Sequence, residues 1–210
     1  MRRFPLVLFP VLLLLAAADA RALDGYSLVE STAASVNGEV LFRSDVAREA
    51  CFFRCGALPG ERAESLTLGE ARDRLIADTL ALQEQRKLQL GQVDNAALAD
   101  AVKEALARMD ACASPCRRGI TPEQTRAWVE RELLIREFLK RRVAVFVEVN
   151  EEDIQKEIRR RKAAGGDNAA TSGDAVAREL LKEKVAQEVR NWFARSASKA
   201  RIILSPLEGQ

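Results

Sequence analysis

Apolar residues along most of this chain recur at spacings of three and four, the period of α-helices that bury one face. Polar stretches rich in Gly, Pro, Asn and Ser separate these periodic segments and indicate loops. The pattern predicts helices over about 45–54, 67–90, 94–109, 121–143, 150–162 and 174–196.

Strand-forming residues lie near the two ends of this helical region. Asn37-Gly38 separates two short apolar runs and is a residue pair suited to the positive φ angles of a tight hairpin turn. A last apolar run at 200–204 predicts one more strand. We therefore expect a mainly α fold of about six helices, with a small β element in which the N-terminal hairpin pairs with the C-terminal strand.

Several residues predict where the helices begin and end. Thr121 and Gln124 have the spacing of a reciprocal capping box, with a proline at the first helical position between them. Ser44 or Asp45 is predicted to cap the first helix. Gly91 is predicted to stop the second, because glycine tolerates the left-handed conformation common at helix ends.

The first residues have the three parts of a cleavable secretion signal. Arg2 and Arg3 precede an apolar stretch, and small residues suited to cleavage lie near Ala20 and Ala22. A membrane anchor is the alternative, but Pro5 and Pro10 interrupt a run shorter than the roughly 20 residues needed to span a bilayer. Residues 1–22 are thus predicted to be a signal peptide that directs export to the periplasm, without stable membrane insertion.

Charge and composition exclude several functions. Cleavage after Ala20 leaves 31 basic and 30 acidic residues, a balance that does not indicate binding to nucleic acid. The chain contains no histidine, which excludes histidine-based acid–base catalysis and imidazole metal sites. No acid, base or nucleophile constellation stands out, so we predict neither an enzyme nor a bound cofactor or metal.

The four cysteines form two pairs, Cys51 with Cys55 and Cys112 with Cys116. In an exported protein this even count favours disulfides. Bridges within a pair would strain a helix, whereas two antiparallel segments would join Cys51 to Cys116 and Cys55 to Cys112. A four-thiolate zinc site and a redox-active dithiol remain alternatives.

The stretch 33–46 contains Val36-Asn37-Gly38-Glu39 followed by Ser44-Asp45. It resembles the opening of the SurA-type periplasmic chaperones, in which such a segment follows the signal. The later helices have an order similar to the N-terminal chaperone module of that family, which a late helix and strand return to complete. The resemblance implies one module over 23–158 plus 174–205, with 159–173 as a linker or loop.

The same family commonly carries parvulin domains, which are peptidyl-prolyl isomerases, before the returning helix. Here the interval Ala163–Gly173 is far too short for such a domain, and the histidines typical of parvulin sites are absent. The resemblance therefore implies the chaperone module without isomerase activity.

These expectations lead to an ATP-independent holdase whose partners are unfolded or extended client polypeptides of the envelope or outer membrane. Such a protein needs accessible apolar side chains that contact many sequences weakly. For each candidate client-binding residue named below, the alternative is that its side chain is simply buried in the hydrophobic core. A dedicated scaffold for one envelope partner, docking through the basic run 159–162, is a second hypothesis, and a prolyl isomerase a third. The candidate client-binding residues are Met109, Trp128, Phe138, Phe146 and Trp192.

Overall fold

The computed structural model describes residues 30–59, 62–165 and 172–207, and the predicted signal at 1–22 lies outside them. The strands are β1 (Thr32–Val36), β2 (Glu39–Phe42) and β3 (Ile202–Leu204). The helices are α1 (Arg43–Arg54), α2 (Leu68–Leu88), α3 (Asn95–Ala111), α4 (Pro122–Arg142), α5 (Glu151–Ala163) and α6 (Gly173–Ala197). Short 3-10 turns lie at Pro115–Gly119 and Ala144–Phe146. None of the helices described here has the length and apolarity required to cross a bilayer.

The three strands form one antiparallel sheet in the order β2-β1-β3. Asn37 and Gly38 adopt φ angles of 53° and 91°, as the predicted hairpin turn requires. On the other side of β1, the Asn37 N–H donates to the carbonyl of Arg201 at 2.8 Å. Pairing of the hairpin with the C-terminal strand is thus confirmed, and β1 holds both ends of the described module.

The helical core consists of three groups of buried apolar side chains. The first joins the sheet to α1 and α2, the second joins α1, α3 and the start of α4, and the third joins α2, α4 and α6. Representative members of these groups, in that order, are Val36, Leu41 and Leu75; Phe52, Met109 and Trp128; and Ile135, Phe138 and Trp192. The mainly helical fold class predicted from periodicity is confirmed.

Two predicted helix starts have different outcomes. At α4 the capping box is confirmed: the Gln124 N–H donates to Thr121 Oγ1 at 3.2 Å, and the Thr121 N–H donates to Gln124 Oε1 at 2.9 Å. The cap predicted at Ser44 or Asp45 is wrong, because β2 runs directly into α1 at Arg43. Asp45 instead accepts a hydrogen bond from the Phe42 N–H at 3.0 Å.

Helix α5 extends into the predicted linker. It continues to Ala163, so the first residues of 159–173 are helical. Arg160 and Arg161 both bond Glu157, one turn earlier, and these contacts support the last turn of the helix. Of the remaining stretch, 166–171 lies outside the described residues, and α6 begins at Gly173.

Both predicted disulfides are present. Cys51 is bonded to Cys116 with a Cα–Cα distance of 5.9 Å, and Cys55 to Cys112 with 5.3 Å. The bridges tie the end of α1 to the end of α3 and to the 3-10 turn that follows it. No cysteine is free, so the thiolates that a zinc site would need are consumed in this structure.

We predict that the two bridges stabilise the fold non-additively. Either bridge alone closes a long loop, with a sequence separation of 65 residues for Cys51–Cys116 or 57 for Cys55–Cys112. Once one bridge is present, the other closes only a small ring. Chain entropy assigns about 2 to 3 kcal/mol to the small ring and about 4 kcal/mol to the long loop. Removing Cys55 and Cys112 together should therefore cost about 2 to 3 kcal/mol of unfolding free energy, and removing all four cysteines more than twice that. Denaturant unfolding of the Cys→Ala variants measures these values. Costs of removing each bridge alone that add up to the cost of removing all four cysteines would contradict this account.

Gly91 has a different role from the one predicted. Helix α2 ends at Leu88, and Gln89 rather than Gly91 takes the left-handed cap position with φ 53°. Gly91 has φ +84° two residues later, where the chain passes the backbone of α4. A Cβ atom at this position would lie 3.0 Å from the backbone nitrogen of Phe138. Glycine is required here both for its φ angle and for the close approach of the two segments.

We expect Gly91→Ala to destabilise the protein by about 2 to 4 kcal/mol, since it combines an unfavourable φ with a backbone contact. Gly165→Ala is the matched control, because Gly165 has a similar φ of +82° but open space around the added methyl group. That control should cost only about 1 kcal/mol. Chemical denaturation compares the two variants, and equal losses would show that the approach to α4 is not tight.

Candidate functional site

The candidate site is a cleft between the end of α4, the 3-10 turn Ala144–Phe146 and the middle of α6. Its volume is about 520 Å³. Four apolar residues line it, together with five polar or charged ones. The lining residues are Arg142, Val143, Phe146, Val147, Lys184, Gln187, Glu188, Trp192 and Arg195.

The 3-10 turn presents apolar side chains at the edge of this cleft. Val143 is buried and anchors the turn, whereas Val145 and Phe146 are 65% and 76% exposed. They are the most exposed of the large apolar side chains among the described residues. A short turn has too few residues to bury successive apolar side chains on one face, so two of them remain in solvent.

Trp192 forms a packed floor for the cleft. Its ring contacts Phe138 edge-on at a centroid distance of 5.6 Å and Phe193 at 4.9 Å. Phe138 is completely buried and Trp192 is 7% exposed. Because Phe138 also lies beside Gly91, the close approach of α4 to the preceding loop supports this floor.

The five candidate client-binding residues thus divide into two groups. Phe146 and Trp192 meet at the cleft, whereas Met109, Trp128 and Phe138 pack in the core. Trp128 stacks on Phe52 with 4.5 Å between ring centroids and is only 4% exposed. Amphipathic periodicity cannot distinguish these cases, because a buried aromatic and a cleft aromatic occupy the same helical face.

Apart from the cleft, a group of buried charged side chains joins α1, α2 and α4 in the interior. Glu49, which is 1% exposed, accepts hydrogen bonds from Trp128 Nε1 at 2.9 Å and from Arg131 at 2.5 Å. Arg74 bonds Glu132 at 2.8 Å and lies 3.4 Å from Glu49. The remaining member, Asp78, is 3.6 Å from Arg131. We call Glu49, Asp78, Glu132, Arg74 and Arg131 the buried ionic cluster.

This cluster contains one carboxylate more than it has guanidinium groups. Burial, followed by the nearby Glu132 carboxylate, raises the pKa of Asp78 well above its usual range. Burial also raises the pKa of Glu49, although Arg131 opposes that change. A proton shared among the acids would balance the cluster.

The spacing of the three carboxylates also resembles that of a metal site, since one oxygen of each lies within 4.8 Å of the others. Two guanidinium groups already contact these oxygens, so the protein itself supplies most of the charge that compensates the three acids. Beside the cluster lies a cavity of about 390 Å³, but Glu49 Oε1 and Asp78 Oδ2, which contact arginines without accepting a hydrogen bond, are shielded from solvent. The arrangement fits an internal connection between helices better than a catalytic pair.

Sequence reasoning missed this cluster, although a signal for it exists. Glu49, Asp78 and Glu132 each interrupt a stripe of apolar residues at helical spacing. A carboxylate in such a stripe must be buried, and burial requires a partner. The partners come from other helices, so the sequence alone cannot say which arginines they are.

The basic run predicted as a docking element is partly used inside the protein. Arg160 pairs with Glu157 at 2.6 Å, and Arg161 pairs with Glu179 of α6 at 2.6 Å. The pair between Arg161 and Glu179 and the pair between Asp153 and Lys184 fasten α5 to α6. The run is therefore a weak candidate for binding a second protein.

Comparison with protein-family models and with curated proteins found no match to this chain. The resemblance of residues 33–46 to the SurA-type chaperones consequently stays a prediction.

We predict that Asp78→Asn is neutral or stabilising at pH 7, by about 1 kcal/mol, because it removes the excess buried charge. A carboxyl with a raised folded-state pKa contributes stability below its unfolded pKa, and that contribution is lost as pH rises through its folded pKa. Wild-type stability should thus decline from about pH 4 upward more steeply than that of Asp78→Asn. Denaturant unfolding across this range measures the slopes. Asp73→Asn, at an exposed position of the same helix, should retain the wild-type slope.

Proposed function

We propose that this protein is an exported, ATP-independent chaperone that holds unfolded or extended segments of envelope or outer-membrane proteins. The observation that carries the proposal is the exposed apolar pair Val145 and Phe146 beside an open cleft floored by Trp192. Exposed apolar surface of this kind has a solvation cost, which a client segment would remove. Weak contacts to many sequences follow from a small patch without deep, shape-specific pockets.

The order of the elements supports the same proposal. A hairpin, a set of helices and a returning helix with its strand form the arrangement that the resemblance to the SurA-type chaperone module implies. The two disulfides suit an oxidising compartment, and with the predicted signal at 1–22 they favour the periplasm. Neither point identifies a client.

A dedicated scaffold for one envelope partner would use the same surface differently. Its partner would fill the cleft in a fixed manner, so unrelated unfolded proteins would bind poorly. A prolyl isomerase would require a catalytic domain between α5 and α6, where Ala164 to Ser172 leave no room for one. Prolyl isomerisation of a test peptide above the uncatalysed rate would overturn the prediction that the protein is not an enzyme.

We expect the mature protein to suppress aggregation of several unrelated outer-membrane proteins diluted from denaturant, at near-stoichiometric amounts and without nucleotide. Phe146→Ala should raise the concentration needed by about five- to tenfold, since it removes one accessible apolar contact. Its thermal unfolding should be unchanged, because the side chain is largely in solvent. Light scattering at increasing chaperone concentration gives the comparison.

Phe42→Ala is the matched control. Phe42 is also exposed, at 41%, but it lies on the sheet and does not line the cleft. Equal losses from Phe42→Ala and Phe146→Ala would show that general surface apolarity, and not the cleft, holds the client. Suppression confined to one substrate among several would favour the scaffold instead.

A further inference from the structure

A second cavity adjoins the cleft. It has a volume of about 290 Å³ and lies between α2, α6 and the start of the hairpin turn. Arg142, Trp192 and Arg195 line both cavities, so the two share one wall. The remaining residues of the second cavity are Asn37, Leu80, Gln83, Glu84, Lys87, Ser196, Lys199 and Ala200.

Positive charge is concentrated along this joined surface, although the whole chain is nearly neutral. The cations that line the two cavities are Lys87, Arg142, Lys184, Arg195 and Lys199, against the carboxylates of Glu84 and Glu188. Three of these cations are paired, Arg195 with Glu188 at 2.7 Å, Lys87 with Glu84 at 3.8 Å and Lys184 with Asp153, so within the part of the chain that the structure describes the uncompensated positive charges are those of Arg142 and Lys199. The local field therefore attracts anions.

Arg142 occupies the centre of this field. It is half-buried at the end of α4, next to Trp192, and makes no ion pair with any other residue in the described ranges. Lys199 on the far side of Trp192 is likewise without an ion pair among the residues described. An unpaired guanidinium beside an aromatic floor can bind a carboxylate by donating two parallel hydrogen bonds to it.

We propose that the two cavities form one groove selective for extended segments in which an apolar side chain, aromatic above all, is followed closely by Asp or Glu. This inference rests on the proposed holdase function and specifies its preferred clients. The apolar side chain packs between Phe146 and Trp192, and the carboxylate reaches Arg142. Segments with Lys or Arg at the second position are repelled by the same field.

The test uses fluorescence anisotropy of labelled peptides that share their phenylalanine positions and differ only in carrying Asp, Asn or Lys beside each. At low salt, wild-type protein should bind the Asp peptide about tenfold more tightly than the Lys peptide, with the Asn peptide between them. Raising the ionic strength to about 0.5 M should reduce this ratio severalfold, because the preference is electrostatic. Arg142→Glu should abolish or reverse the order.

Arg126→Glu is the control for Arg142→Glu. Arg126 is an exposed arginine of the same helix that lines neither cavity, so the variant has the same net charge change and should keep the wild-type preference. If Arg142→Glu disturbs folding, Arg142→Gln and Lys199→Gln should each still lower the ratio.

The possible outcomes separate the two proposals. Equal binding of the three peptides by wild-type protein would overturn the charge selectivity while leaving the holdase function in place. Failure of every peptide to bind, together with no suppression of aggregation, would overturn both. An unchanged preference in Arg142→Glu would show that the anion is recognised elsewhere.

Discussion

The burial of Glu49 is the constraint around which the helices are arranged. A carboxylate removed from water needs charged or hydrogen-bonding partners, and here they come from α2 and α4 at once. Three helices must therefore meet with their polar groups in register, which a purely apolar interface would not require. Arg74 extends the connection by stacking its guanidinium 4.1 Å from the ring centroid of Phe53, beside the disulfides.

The cleft is located by the same framework. Helix α4 carries Arg131 and Glu132 at its middle and Phe138 and Arg142 toward its end, so one rigid element connects the cluster with the groove. Helix α6 packs on α2 and α4 through Trp192 and closes the sheet through β3. The surface proposed to contact clients thus rests on well-packed helices, while its apolar contact residues lie on the short turn that follows α4.

Periodicity and turn chemistry were sufficient to predict the helices, the hairpin at Asn37-Gly38 and the closure of the sheet. The disulfide pairing could be predicted only on the assumption that the two cysteine segments run antiparallel, and the structure has that pairing. Local rules failed where tertiary contacts decide, as at Gly91, whose role depends on the backbone of α4. The candidate site was predictable only in part. The spacing of aromatic residues predicts which face of a helix is apolar, but which of these residues reach solvent depends on how the helices pack together, and local sequence patterns do not determine that packing.

The central position of β1 has a consequence for the order in which the protein assembles. Its two neighbours, β2 and β3, lie at opposite ends of the described chain, and Ser35 faces Ile203 across the sheet. The two disulfides join residues within 51–116, so this part can be linked before the residues of α5, α6 and β3 are available. The strand β1 must then wait with one open edge until the C-terminal residues arrive. Completion of the sheet is therefore tied to the arrival of β3, and a protein that lacks β3 would retain an unpaired edge open to strands of other molecules.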